Sequence, residues 1–126
     1  MPGIGESDLS GITVLVVEDM ALLADLLAEE LESAGCRVVG PAARLNQGLA
    51  LAGTADLDGA LLDVNLGGEN CFPIADALAA RGVPFVFLTG YGTTMLPASY
   101  RDVPCLAKPC DLAEMRALVK QRFKRG

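Results

Sequence analysis

Five short apolar runs, each followed by a stretch of turn or helix signals, constrain the fold of this chain more than any other feature. They are ITVLVV (Ile12–Val17), CRVV (Cys36–Val39), GALLDV (Gly59–Val64), PFVFL (Pro84–Leu88) and CLA (Cys105–Ala107). The runs are near-continuous rather than alternating, as in strands buried on both faces. After the first run, Leu23, Leu26, Leu27, Leu31 and Ala34 recur at helical spacing with acids on the opposite face, and Gly35 stands where a helix would stop. A weaker helix is expected over 44–52. Another runs from Phe72 to Arg81, with Pro73 tolerated in its first turn. Asp111 and Glu114 form a D-x-x-E start signal for a last helix carrying an apolar stripe from Leu112 to Phe123. Gly40-Pro41 is expected to close the second strand, NLGGENC to be a loop, and Pro97 to interrupt any helix after the fourth strand. Strands joined by helices in this order make a parallel sheet with right-handed crossovers.

Four of the runs end in polar groups: Glu18-Asp19, Asp63, Thr89 and Lys108-Pro109. An open parallel sheet gathers the C-terminal ends of its strands along one edge, where ligands bind. Glu18, Asp19 and Asp63 brought together there repel one another unless a cation neutralises them. Oxygen donors without His or Cys favour Mg2+, with Mn2+ an alternative, over zinc. Such a site leaves room for a phosphoryl oxygen. An aspartate can attack phosphorus to form an acyl phosphate, and a lysine can neutralise the phosphoryl group as a point charge. The Lys108-Pro109 bond is a candidate cis peptide. Taken singly, these residues have plainer readings: acids at a helix N-terminus, an Asx turn at Asp63, a loop start at Thr89. Their conjunction is what points to phosphoryl chemistry.

Composition narrows the classes further. The chain has 126 residues, 52% hydrophobic and 21% charged, which suits one packed domain without disulfide staples. A formal net charge of −6 argues against a nucleic-acid binder. The absence of His excludes a Cys/His metal site and a Ser-His-Asp triad. Cys36, Cys71, Cys105 and Cys110 lack metal spacing and read as small buried residues in a reducing compartment. The first ten residues are rich in Gly, Ser and acids and are expected to be disordered, with the domain running over 11–126. With no signal-peptide pattern and no apolar run of membrane-spanning length, the expectation is a cytoplasmic protein.

With these motifs, VVEDM, LLDVNLGGE, FVFLTGYG and CLAKPCD, the chain resembles the receiver domain of two-component response regulators over about 11–124. The resemblance implies a flavodoxin-like doubly wound sheet of five parallel strands, order 2-1-3-4-5, with five helices. It implies that Asp63 accepts a phosphoryl group from a phosphohistidine on a sensor kinase or phosphotransfer protein. Glu18, Asp19, Asp63 and the backbone carbonyl of Asn65 would hold Mg2+. Lys108 would pair with phosphoryl oxygens, and Thr89 would hydrogen-bond the phosphorylated form. Apart from its own phosphorylation and slow self-dephosphorylation, such a protein is not an enzyme. No output domain is expected, so it would signal by protein contact or act as a phosphate sink.

Two departures stand out. Most receivers carry a Tyr or Phe where this chain has Cys105, so the usual aromatic relay to Thr89 is in question. Pro97 falls in the segment of the fourth helix, which should be short or mobile. With PFVFLTGYG, these features resemble the FATGUY group of stand-alone alphaproteobacterial receivers. Membership would imply HWE or HisKA2 kinases as partners and Tyr91 as the replacement aromatic. The competing readings are a degenerate receiver serving as a binding module and a Mg2+-dependent aspartyl-phosphate phosphatase. The latter normally has its nucleophile after the first strand and a second Asp where Asn65 stands.

Overall fold

The computed structural model describes residues 9–90 and 96–124. A five-stranded parallel sheet is built from β1 (Thr13–Val17), β2 (Arg37–Ala42), β3 (Gly59–Asp63), β6 (Phe85–Thr89) and β7 (Cys105–Ala107). The spatial order is β2-β1-β3-β6-β7, the expected doubly wound arrangement with β1 and β3 central. Helices α1 (Ala21–Ser33), α2 (Leu45–Thr54), α3 (Phe72–Ala80) and α4 (Leu112–Phe123) cover both faces. Between β3 and α3 lie two further short strands, β4 (Asn65–Leu66) and β5 (Glu69–Asn70).

Alternation along the strands divides the core in two, because successive side chains point to opposite faces. Leu15, Val17, Leu62 and Phe87 pack with Ile74, Ala75 and Leu78 of α3 and Ala52 of α2. Val14, Val16, Leu61, Val86 and Leu88 face Leu27 and Leu31 of α1 and Met115 and Val119 of α4. Each fully buried Leu or Val stabilises the fold by roughly 1.5–3 kcal/mol relative to exposure. At the far end of the sheet, a Cβ on Gly59 would fall 2.2 Å from the Phe123 ring, so α4 can sit this close only to a glycine.

Several expectations are corrected. The second strand does not stop at Gly40-Pro41: β2 runs through it to Ala42, with a register irregularity against β1 and a cis Gly40–Pro41 bond. An edge strand can accommodate proline, whose missing N–H would be unpaired there anyway. The NLGGENC segment is a hairpin rather than an irregular loop. The N-terminal segment was expected to be disordered through residue 10, yet Leu9 is buried and its N–H donates to Ala34 O at 3.0 Å. Four α-helices are present among the described residues instead of five. Where the fourth helix was expected to be short or mobile, the described residues before β7 form a 3-10 turn, Ala98–Tyr100, led by Pro97. Cys36 and Cys71 are buried as expected, whereas Cys105 and Cys110 are half-exposed. Burial pushes the Cys36 thiol up to about 11 and Cys71 up to about 12, which keeps both uncharged.

The 3-10 turn is anchored by Tyr100. Its ring lies 5.6 Å from Phe85, 5.8 Å from Phe87 and 6.1 Å from Phe72, and its hydroxyl donates to Asp76 Oδ1 of α3. Tyr100→Phe keeps the ring packing and removes the hydrogen bond. It is expected to cost about 1 kcal/mol in urea unfolding. Adding Asp76→Ala to Tyr100→Phe should cost less than the sum of the two single changes, and strict additivity would rule out the coupling.

Candidate functional site

The order of strands decides which side chains meet. β1 and β3 are neighbours, with Val17 opposite Leu62, so Glu18-Asp19 and Asp63 emerge side by side. β6 pairs with β3, and β7 pairs with β6 with Thr89 opposite Ala107. The backbone N–H of Lys108 donates to Thr89 O at 3.0 Å, and the Lys108–Pro109 bond is cis.

Glu18, Asp19 and Asp63 each offer a carboxylate oxygen within 4.8 Å of the others. Lys108 reaches across two strands to them. Its Nζ lies 3.0 Å from Glu18 Oε1 and 3.0 Å from Asp63 Oδ1. Glu18 and Asp63 are almost fully buried, at 1% and 2% exposure, while Asp19 is exposed. The Met20 N–H donates to Glu18 Oε2 at 3.0 Å, fixing that carboxylate at the start of α1. Asp63 Oδ1 also accepts from the Asn65 N–H at 3.2 Å. Asp63 Oδ2 is buried and meets no hydrogen-bond donor among the described residues. A cleft of about 380 Å³ opens over these groups, lined by Asp19, Asp63, Asn65, Thr89 and Lys108.

The electrostatics follow from crowding. Burial, then the neighbouring Asp19 and Glu18, push the Asp63 carboxyl up to about 7 against the pull of Lys108. At Asp19, burial works to raise the pKa, but interactions with Asp63, Glu18, its own backbone and Lys108 hold it below the ordinary value. Of this tight pair Asp63, the more buried member, is the harder to ionise. The Lys108 ammonium is disfavoured by burial but raised overall by Asp63 and Glu18, which keep it charged. One lysine thus faces three carboxylates. The donor set, all oxygen with Glu18 Oε1 and Asp63 Oδ2 buried and without hydrogen-bond partners among the described residues, fits a hard divalent cation. Glu18, Asp19 and Asp63 would hold it, leaving coordination positions for water or phosphoryl oxygens.

Of the residues singled out from sequence, Glu18, Asp19, Asp63, Asn65, Thr89 and Lys108 stand at one strand-end edge. Cys105 lies behind it, half-buried, and packs against the core cluster that includes Tyr100. Tyr91 lies outside the described residues. Two features were missed in the sequence. Tyr100 supplies a buried aromatic behind the site, signalled only by its being one of two tyrosines in the chain. The Asn65 side chain accepts from the Gly68 N–H within a two-residue hairpin turn that the Gly67-Gly68 pair, read only as a loop, could have signalled.

Comparison with known proteins agrees with this geometry. The solution structure of SdrG from Sphingomonas melonis Fr1 is 40% identical, covering 86% of this chain and 94% of that one, with a TM-score of 0.74. The receiver domain of sensor histidine kinase PA1611 from Pseudomonas aeruginosa PAO1, crystallised with magnesium in its active-site cleft, shares the fold. It is 24% identical, covers 90% and 98% of the two chains, and has a TM-score of 0.78. A CheY-like receiver domain protein from Methanospirillum hungatei JF-1 has a TM-score of 0.79 at 22% identity, over 89% and 93% of the chains. No curated protein sequence matches. The response regulator receiver domain model matches residues 14–120, and the chain belongs to that family.

Proposed function

We propose that this chain is a phosphoacceptor of two-component signalling, taking a phosphoryl group on Asp63 from a phosphohistidine of a sensor histidine kinase or phosphotransfer protein. The single observation that carries the reading is the Asp63 carboxylate. One oxygen is tied by Lys108 and the Asn65 N–H, and the other is buried without a donor at the floor of the cleft. Asp63 Oδ2 attacks phosphorus, the P–N bond of the phosphoimidazole breaks, and its electron pair returns to the histidine ring. Lys108 shifts a short distance to pair with the transferred oxygens, and the Thr89 hydroxyl donates to one of them. A bound Mg2+, or Mn2+, would neutralise the charge shared by carboxylates and phosphoryl group. Glu18, Asp19, Asp63 and the Asn65 carbonyl are its proposed ligands. Catalysis here is positioning and charge neutralisation.

The finer reading follows the sequence motifs. The chain works as a stand-alone cytoplasmic receiver of FATGUY type, served by an HWE or HisKA2 kinase, with slow self-dephosphorylation. Output is contact with a downstream protein or withdrawal of phosphoryl groups. Among the described residues no helix is long and apolar enough to cross a membrane. Met20 borders the cleft, and Leu22 and Leu26 are exposed on α1, giving a donor domain an apolar surface to press against.

Incubation with Mg2+ and acetyl phosphate should add one phosphoryl mass to the wild-type protein and none to Asp63→Ala. An unmodified wild type, or an equal adduct on the variant, would refute the reading. The carboxylate crowding gives a second, metal-free test. The folded Asp63 carboxyl titrates at about 7, against 3.8 ordinarily. Below its ordinary value both states are protonated, and its contribution to stability is fully present. As pH rises toward 7, the unfolded carboxyl ionises first and that contribution is lost. In EDTA at pH 7.5, Asp63→Asn should therefore raise the thermal midpoint by several degrees, and at pH 4 the gain should vanish. A lowered midpoint at pH 7.5 would contradict the proposed balance of burial over the Lys108 pair.

A further inference from the structure

The segment after Asp63 is a hairpin. Gly67 and Gly68, with φ of 62° and 97°, make a two-residue turn with both central residues at positive φ. It joins the antiparallel pairs Leu66–Glu69 and Asn65–Asn70. This is the geometry whose twist matches flanking strands. Asn65 is held at three points. Its N–H donates to Asp63 Oδ1 at 3.2 Å, its side-chain Oδ1 accepts from the Gly68 N–H at 2.9 Å, and its backbone pairs with Asn70. The base of the hairpin is tied on both sides. The Cys71 N–H donates to Val64 O, and Asn70 Oδ1 accepts from the Phe72 N–H, each at 3.1 Å. Leu66 is buried in the core. At the tip, a Cβ on Gly67 would stand 3.9 Å from Asp19 Oδ2, so the turn lies against the acidic cluster.

A ribbon with two residues per strand has little stability of its own. Its shape depends on the turn and on the Asn65 side chain. The same residue contributes a backbone N–H to Asp63 and, in the reading above, a backbone carbonyl to the cation. Ligands held by locked neighbours bind metal more tightly than ligands that must be ordered on binding. We propose that Asn65 is a positioning residue. Through its side-chain hydrogen bond to Gly68 it locks its own backbone and the Asp63 carboxylate in register for a divalent cation, with the Gly67–Gly68 turn as the support. This rests on the phosphoacceptor reading, which assigns the carbonyl of Asn65 to the cation.

Asn65→Ala removes the acceptor but leaves the backbone carbonyl and the net charge unchanged. Gly67→Asn places a residue that tolerates the left-handed region in the turn, and Gly67→Val places one that does not. Mg2+ binding is measured by titration calorimetry without any phosphodonor, alongside thermal midpoints in EDTA. Wild type and Gly67→Asn should bind alike. Asn65→Ala and Gly67→Val should bind about tenfold more weakly, with the Asn65→Ala midpoint near that of wild type. Affinity of Asn65→Ala equal to wild type, or equal losses in both Gly67 variants, would overturn the positioning role alone. A wild type that takes up no Mg2+ would overturn the phosphoacceptor reading and this inference with it.

Discussion

The ammonium of Lys108, 3.0 Å from both Glu18 and Asp63, is the contact on which the functional edge of the sheet depends. Two of the three carboxylates gathered there are almost wholly buried. A buried carboxylate with no partner is costly by several kcal/mol. The lysine directly follows the edge strand β7, three places from β1 and two from β3 in the sheet, so the compensation exists only when the whole sheet is assembled in order. Local sequence cannot supply it. Glu18 and Lys108 are separated by 90 positions, and the fold closes that distance by stacking parallel strands.

The strand ends were the most legible part of the chain. Near-continuous apolar runs such as VLVV and FVFL can only be buried on both faces, and burial on both faces dictates a central parallel sheet. From there, the convergence of Glu18, Asp19, Asp63, Thr89 and Lys108 follows from strand order alone. The start of α4 was equally legible, because a single local hydrogen bond, Glu114 N–H to Asp111 Oδ1 at 3.1 Å, defines it. What sequence left obscure depends on tertiary context. Gly40-Pro41 carries the signals of a turn, yet β2 continues through it because its partner β1 is present to accept the pairing. Leu9 sits in a stretch of disorder-promoting composition, yet it is buried because α1 and α4 leave an apolar space for it.

Tyr100 shows the same limit from another side. The expected aromatic position in β7 holds Cys105, and a linear reading finds a gap there. Five positions earlier, the 3-10 turn lays Tyr100 over Phe72, Phe85 and Phe87, and Cys105 packs against the same cluster. The anchoring hydroxyl then binds Asp76, so this segment is held to α3. Phe72 begins α3 directly after the hairpin that follows Asp63. The aromatic cluster therefore touches both the segment that follows Asp63 and the segment leading into β7.

The same crowding that destabilises the site equips it for its proposed chemistry. A fold optimised for stability alone would replace Asp63 with a neutral residue, since its burial raises its pKa to about 7 while Lys108 compensates only in part. Retaining the carboxylate keeps local negative charge in excess, one ammonium against three acids, and that excess is what a divalent cation can relieve. A cation then restores room for the negative phosphoryl group, with Lys108 already within reach of Asp63. The instability is confined to a few groups at one edge, because two well-packed cores beneath them carry the fold. On this view the energetic defect and the proposed capacity to accept phosphoryl groups are one property, and the hydrogen-bonded hairpin beyond Asp63 opposes its relaxing away by local rearrangement.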